Sequence, residues 1–426
     1  MSASNEFSLS EVPENERKKI LPIAMVLFSF TFFTGTMFAG GKIGMAFNFT
    51  DMLWIACAGN ILLAVYAASL GFIASRSGLN TVMMGRFCFG EKGSWLSDFL
   101  LGFAELGWYA WGTATAAIVL TKLIGLPLWS QTPLMVCLGL LFCVTAIVGF
   151  KGLDILSRIS VPLMFILLLV SIYLATQKAG GLKALNAISP NESMSYSTAI
   201  TIVFGAFASG ATQATNWTRF SKSGQSAITA SFLSFMGGNG LMIIAGAWCA
   251  LVYQKSDIVD VMVLQNLTYA AVIMLFLNLW TIQGPTIYNV SAAACHLFRI
   301  DRRRIMTLIA ASLGIVIAIC GMYEWLIPFL VLLGSIIPPL GGVIMTDYWY
   351  RHKSHYPKLS EVQLPQFNIE GLAAYGIGAT LACFSPWIAP VIGIGASAIS
   401  YILLIEARRL ITIKAKQPES FSQIPS

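Results

Sequence analysis

The chain has 426 residues, of which 57% are hydrophobic and only 11% are charged. A water-soluble domain normally carries about 25% charged residues, so this composition excludes an ordinary soluble globular protein. The mean hydropathy of +0.75 supports the same conclusion. The formal net charge of +7 would suit a nucleic-acid-binding protein, but the positions of the charges favour a different explanation.

Apolar runs of membrane length recur from about Leu21 to Leu410, which predicts an all-α polytopic membrane protein. The first 20 residues are polar and no small-residue cleavage pattern follows them, so we expect no cleaved signal peptide. Twelve transmembrane helices are predicted. They cover roughly 21–46, 52–76, 95–122, 130–149, 156–176, 196–217, 227–252, 263–290, 304–321, 325–346, 366–384 and 388–408.

The basic residues are distributed asymmetrically between the connections of these spans. With both termini in the cytoplasm, 21 of the 26 Lys and Arg residues lie on the inner side. Five lie outside: Lys42, Lys122, Lys178, Lys183 and Lys255. This split follows the positive-inside rule. The basic excess therefore faces the cytoplasmic lipid surface, and we expect lipid, not nucleic acid, as its partner.

The first and sixth spans contain small residues that could interrupt a helix. Span one carries Gly35, Gly40, Gly41 and Gly44, and span six carries Gly205, Ser209, Gly210 and Thr212. Such residues also permit close helix crossing, which is the alternative for each span alone. The two spans, however, occupy corresponding positions in two halves of the chain. Paired interrupted helices of this kind indicate the central binding site of a transporter.

Glu105 lies in the middle of the third span, in the stretch "FAELGWYAWG". A carboxylate at that depth costs about 2.5–3.5 kcal/mol on insertion scales and usually faces a cavity with a function. The alternative is a structural acid that is hydrogen-bonded to a neighbouring helix. Trp108 lies three residues further on, on the same helix face. An indole beside a hydrogen-bond acceptor suits a planar, nitrogen-rich ring, although tryptophan also packs at membrane interfaces.

Span eight contains four polar side chains in an apolar run, Asn278, Thr281, Gln283 and Asn289, around a Gly284-Pro285 pair. They could bond across helices, or Thr281 could coordinate a cation. No P-loop, no C-x-x-C pair and no His/Cys cluster is present. We therefore expect no enzyme and no cofactor other than a coupling ion. A channel and a receptor that binds without transport are the remaining alternatives.

Several multi-residue stretches match a known family in register. They are "TFF" at 31–33, "GN" at 59–60, "RFCFGEKGSWL" at 86–96, "GW" at 107–108, "RF" at 219–220, "NLWT" at 278–281 and "IPPLGGVIMTDYW" at 337–349. On these residues the chain resembles the cytosine permeases of the nucleobase–cation symporter (purine/cytosine permease) family, over nearly its whole length.

The resemblance implies a leucine-transporter fold within residues 19–410, with cytoplasmic tails at 1–18 and 411–426. Two inverted five-helix repeats would cover about 19–176 and 196–346, and two extra helices about 366–410. The expected activity is import of a nucleobase, cytosine first, by cation-coupled symport with alternating access. The expected location is the bacterial inner (plasma) membrane, with the protein acting as a monomer.

The resemblance also implies a site. The base would lie between Trp108 and Phe207, with polar contacts from Glu105, Ser209 and Asn278. The backbone from Gly205 through Ala206 would contribute as well, and Phe33 and Gln283 complete the expected substrate site. A sodium ion would be held by the carbonyls of Ser29, Phe32 and Asn278 and by the hydroxyl of Thr281.

Three residues depart from the family pattern. Glu105 stands where a glutamine is usual, Ala206 where a serine is expected, and Ile282 where a second hydroxyl would bind the cation. We therefore expect weakened sodium coupling, with Glu105 providing a proton-linked alternative. Because a carboxylate only accepts hydrogen bonds, Glu105 could instead change the preferred ring, toward guanine, hydroxymethyl-pyrimidine or allantoin.

Overall fold

The computed structural model of the chain describes residues 10–148, 151–298 and 302–416. Within these ranges the regular structure is helical, apart from a single backbone bridge between Lys18 and Ser221. The α-helices are α1 (Ile20–Thr31), α2 (Thr34–Ala46), α3 (Phe49–Ser77), α4 (Thr81–Phe89), α5 (Trp95–Ile124), α6 (Gln131–Val148), α7 (Lys151–Ala179), α8 (Leu182–Leu185), α9 (Tyr196–Gly205), α10 (Ala208–Gln213), α11 (Thr215–Thr218), α12 (Gly224–Ser234), α13 (Gly240–Tyr253), α14 (Ile258–Leu264), α15 (Thr268–Phe298), α16 (Arg303–Ile319), α17 (Leu326–Ile336), α18 (Pro338–Thr346), α19 (Ile369–Phe384) and α20 (Ala389–Lys416).

Each predicted apolar run contains one of these helices or a chain of adjoining helices. In the described residues, six helical segments are long and apolar enough to cross a membrane by themselves. The pair α1 and α2, bent by 55°, makes a seventh. The other runs are shorter, are interrupted as in α9 to α11, or form a long helix that is less apolar, as in α5. The count of twelve therefore stays a prediction. Of the predicted tails, residues 1–9 and 417–426 lie outside the described residues, while residues 411–416 continue α20.

The break in the first span lies at Phe32 and Phe33, before its glycines begin. Phe33 has an extended backbone, with φ −121° and ψ 125°. Further along, Gly40 and Gly44 allow α2 to approach α13. A Cβ atom at Gly40 would lie 2.1 Å from the carbonyl oxygen of Ile243, and one at Gly44 would lie 2.0 Å from that of Ala247. Close crossing therefore explains these two glycines.

The break in the sixth span lies at Ala206 and Phe207, between α9 and α10. Phe207 leaves the helical conformation, with φ −139° and ψ 20°. Gly205 ends α9 against α17, where a Cβ atom would lie 1.9 Å from the carbonyl oxygen of Leu330. The sequence pattern thus selected the two interrupted spans, and both interruptions occur beside an aromatic residue.

The packing of the long helices brings the two breaks to the centre of the molecule. α2 packs along α13, and α5 packs along α15 and α16. α3 packs against α12, while α19 and α20 pack on each other and on α18. The third and eighth predicted spans, α5 and α15, therefore lie side by side, which brings Glu105 and Trp108 close to the polar residues of α15.

Candidate substrate site

A cavity lies between the two helix breaks, α5 and α15. It contains about 390 Å³ of empty space, counting its mouth. Its lining consists of Phe30, Phe33, Glu105, Trp108, Ala206, Phe207, Ser209, Gly210, Ile282, Gln283 and Thr286. The wall is mainly apolar with a few polar groups, which is the usual composition of a small-molecule site.

Aromatic rings form two sides of this cavity. Trp108 and Phe207 both line it and are almost fully buried. Phe33 packs edge-on against Trp108, with ring centroids 5.0 Å apart and an interplanar angle of 79°. Phe30 packs in the same way against Phe207, at 5.1 Å and 86°. Each of the two rings is thus held in orientation by a neighbour at the break in the first span.

Glu105 supplies the carboxylate of the cavity wall and is only 6% exposed. One of its oxygens accepts a hydrogen bond of 2.6 Å from Nε2 of Gln213. Ser209 and Thr286, which each carry a hydroxyl, line the same cavity wall. The side-chain oxygen of Gln213 accepts a bond of 3.2 Å from Nδ2 of Asn289. Glu105 therefore combines the features of a structural acid and of a cavity-lining acid. Its carboxylate is hydrogen-bonded to a neighbouring helix and also lines the cavity.

Seven of the nine predicted substrate residues meet at this cavity: Phe33, Glu105, Trp108, Ala206, Phe207, Ser209 and Gln283. The amide of Gln283 donates weakly to the backbone oxygens of Trp108 and Tyr109, at 3.4 and 3.3 Å. These contacts fix α15 against α5. Gly205 and Asn278 are not among the lining residues, since Gly205 lies against α17.

Asn278 uses its side chain to hold the broken backbone of the first span. Its Nδ2 donates to the carbonyl oxygen of Phe32 at 2.8 Å. Its Oδ1 accepts from the backbone N–H of Thr34 at 3.0 Å and from the hydroxyl of that residue at 3.1 Å. Unpaired backbone groups are costly inside a membrane, so this amide satisfies the groups that the break leaves without helical partners.

The predicted cation ligands meet at the same junction, but their oxygens already accept hydrogen bonds. The carbonyl of Phe32 accepts from Asn278, as above, and the carbonyl of Asn278 accepts from the hydroxyl of Thr281 at 2.8 Å. The carbonyl of Ser29 accepts from the N–H of Phe32 at 3.4 Å. Each of these three carbonyls thus accepts one hydrogen bond. Because a carbonyl oxygen has two lone pairs, the sodium site stays a prediction.

Sequence reasoning missed Gln213, Thr286 and Phe30. A usable signal existed for Gln213, which follows Ser209 by four residues and so shares its helix face. Thr286 has the same relation to Ile282. In the sequence, Gln213 and Thr286 cannot be distinguished from polar residues that simply bond between helices. Only the packing shows that both lie near the carboxylate of Glu105.

Comparisons with known proteins agree with this fold. Residues 11–394 match the family described as permease for cytosine/purines, uracil, thiamine, allantoin. The cytosine permease of Escherichia coli strain K12 is 33% identical over 404 residues, which cover 95% of both chains.

Two solved transporters share the fold. The structure of Mhp1, a nucleobase-cation-symport-1 family transporter, in a closed conformation with bromovinylhydantoin bound, aligns with a TM-score of 0.80 at 18% identity, over 97% of this chain and 96% of that one. A Na⁺-coupled sialic acid symporter aligns with a TM-score of 0.67 at 11% identity, over 94% and 93%. The predicted all-α, leucine-transporter-like fold is therefore confirmed. The chain is a multi-pass membrane transporter, not an enzyme, and belongs to the permease family for cytosine/purines, uracil, thiamine and allantoin.

Proposed function

We propose that this transporter imports a nucleobase, cytosine first, across the bacterial inner membrane by cation-coupled symport. The observation that carries the proposal is the cavity itself, in which Trp108 and Phe207 line a space beside the Glu105 carboxylate. A flat heterocycle can stack on such rings, while its N–H groups donate to the acid. Both termini would lie in the cytoplasm, as the charge distribution predicts, and the protein would act as a monomer.

The test is uptake of radiolabelled cytosine into proteoliposomes, with competition by guanine, hypoxanthine, allantoin and hydroxymethyl-pyrimidine. Base stacking on an aromatic side chain contributes about 1–3 kcal/mol, equivalent to roughly 5–150-fold in affinity. We therefore expect Trp108→Ala and Phe207→Ala each to weaken substrate binding by that range.

Matched controls are Trp54→Ala and Phe99→Ala, because these rings are exposed on the outer surface of the helices, at 70% and 58%. They should leave uptake unchanged. Undiminished accumulation of every solute in both cavity variants would contradict the proposal. Counterflow distinguishes a transporter from a receptor, since a receptor binds label without accumulating it.

We further propose that a proton, not sodium, is the coupling ion. Ile282 follows Thr281 directly and offers no oxygen to a cation. Glu105, by contrast, is a titratable group that touches the substrate cavity. An ionised Glu105 only accepts hydrogen bonds, whereas a protonated Glu105 also donates one. Proton binding would therefore change how this side chain binds the substrate, so that one carboxyl group couples the two.

The coupling test compares uptake driven by a proton gradient with uptake driven by a sodium gradient at fixed pH. The wild-type protein should respond to the proton gradient, whereas Glu105→Gln should still bind substrate but no longer accumulate it with that gradient. The glutamine keeps an oxygen that can accept from Gln213, so the local packing is retained. Accumulation by Glu105→Gln that the proton gradient drives as strongly as in the wild type, or wild-type uptake driven by sodium alone, would refute the proton role.

A further inference from the structure

A second cavity lies away from the substrate site, where four segments meet at the end of the molecule that the charge distribution assigns to the cytoplasm. It contains about 800 Å³ of empty space, counting its mouth. The segment before α1, the last turn of α3, the turn before α12 and the loop around Ser354 contribute its walls. Its lining is rich in charged and hydroxyl groups, in contrast to the apolar substrate cavity.

Three cations face this cavity from three different segments. Arg17 precedes α1, Arg76 lies in the last turn of α3, and Lys222 lies just before α12. Glu14 is the one carboxylate among the lining residues. None of the three cations forms an ion pair with any residue in the part of the chain that the structure describes. Three positive charges thus share the cavity with a single carboxylate, which leaves the lining positively charged.

Arg17 has a donor that needs an acceptor. Its Nη1 donates to the carbonyl oxygen of Ser75 at 2.7 Å, which fixes the guanidinium group in place. Its Nε is buried and has no hydrogen-bond partner within the described residues. Buried donors in native proteins nearly always have a partner, and a guanidinium group held at one end is well suited to bind an oxyanion with its remaining N–H groups.

Two backbone features support anion binding at the same place. The cavity adjoins the N-terminal end of α12, where Ser223 caps the helix by accepting from the N–H of Ser226. The positive end of a helix dipole favours bound anions. Lys353 and Ser354 both adopt left-handed conformations, with φ 49° and 65°. Such strained residues cluster at ligand sites.

We propose that this cavity is a binding site for a phosphate group. Arg17, Arg76 and Lys222 would surround the phosphate oxygens, and the buried Nε of Arg17 would gain its missing acceptor. The phosphate would come either from a soluble phosphate ester or from the headgroup of an anionic phospholipid in the inner leaflet. This inference is independent of the transported substrate, because no residue is shared between the two cavities.

The test uses the full-length protein, purified in detergent, and follows its thermal unfolding. One arm adds inorganic phosphate or cytidine monophosphate, with chloride salts at matched ionic strength as the reference. The other arm compares lipid nanodiscs of phosphatidylcholine with and without phosphatidylglycerol. A ligand that binds the folded form raises the melting temperature by mass action, so the arm that responds identifies the source of the phosphate.

Arg76→Gln and Lys222→Gln are the test variants, because neither side chain holds a backbone carbonyl as Arg17 does. Each should raise the apparent dissociation constant about tenfold or more. Arg409→Gln and Lys358→Gln are the matched controls, since these cations are about 71% exposed and lie outside the cavity, and they should behave as wild type. If neither arm stabilises the protein, or if the test variants are stabilised as much as the controls, the proposed site is wrong.

Discussion

Asn278 illustrates how one side chain can serve structure where the family resemblance assigns it to substrate. Its three hydrogen bonds join α15 to the broken backbone at Phe32 and Thr34. The residue is almost completely buried. Its amide has the donor that the carbonyl of Phe32 requires and the acceptor that the N–H of Thr34 requires. The break in the first span is therefore stabilised by a helix that is distant in sequence.

We expect Asn278→Leu to destabilise the protein, whether or not substrate is present. Leucine would leave the N–H of Thr34 and the carbonyl of Phe32 without partners, and one such buried group costs about 1–3 kcal/mol. The measurement is the melting temperature of the purified protein. Asn289→Leu, on the same helix, is the matched control, because it removes one longer hydrogen bond to Gln213. Equal losses of melting temperature in the two variants would contradict the role given to Asn278.

For single residues, the sequence predicted that Glu105 and Trp108 lie in the cavity. A carboxylate is costly in lipid and usually occurs there only where it faces a cavity or a partner. It could not predict the partners. Gln213 and Asn289 are uncharged and cost less, and similar amides bond between helices without any function. Which of them turns toward Glu105 depends on how α10 and α15 are packed, and that information is not local.

The two interrupted spans break at residues other than their glycines. The breaks themselves occur at Phe32, Phe33, Ala206 and Phe207, whereas Gly40 and Gly44 provide the contact between α2 and α13. The sequence therefore identified the correct two spans but not the residues at which they break. The backbone partners that fix a break lie on other helices, and a run of glycines by itself also fits close packing.

Alanine at Gly40 or Gly44 should sharply reduce the amount of folded protein. The added methyl group would lie about 2 Å from a backbone oxygen of α13, and a backbone cannot move aside as a side chain can. We expect Gly40→Ala and Gly44→Ala to lower the yield of monodisperse protein in size-exclusion chromatography. Gly376→Ala and Gly395→Ala are the controls, since a Cβ atom there meets nothing within 4 Å. Normal folding of both test variants would show that α2 and α13 are less closely packed.

At the scale of the whole molecule, polar contacts join separate helices at the end that the charge distribution assigns to the outside. Lys122, near the end of α5, forms an ion pair with Asp260 of α14. Nearby, the hydroxyl of Tyr323 donates to Asp257 at 2.8 Å. Transport by alternating access requires a path from the cavity to each side in turn. The contact between α5 and α14 should therefore open and close during each cycle.

A covalent link between these two helices should stop transport. We expect the double variant Lys122→Cys and Asp260→Cys, in a background whose eight native cysteines are replaced by alanine, to lose cytosine uptake after treatment with a short bis-methanethiosulfonate reagent. Reduction should restore uptake. Lys358→Cys with Glu361→Cys is the control pair, because these residues form an ion pair three residues apart within one segment. If the cross-linked α5 and α14 still allow full uptake, the two helices do not separate, and the outer path must open elsewhere.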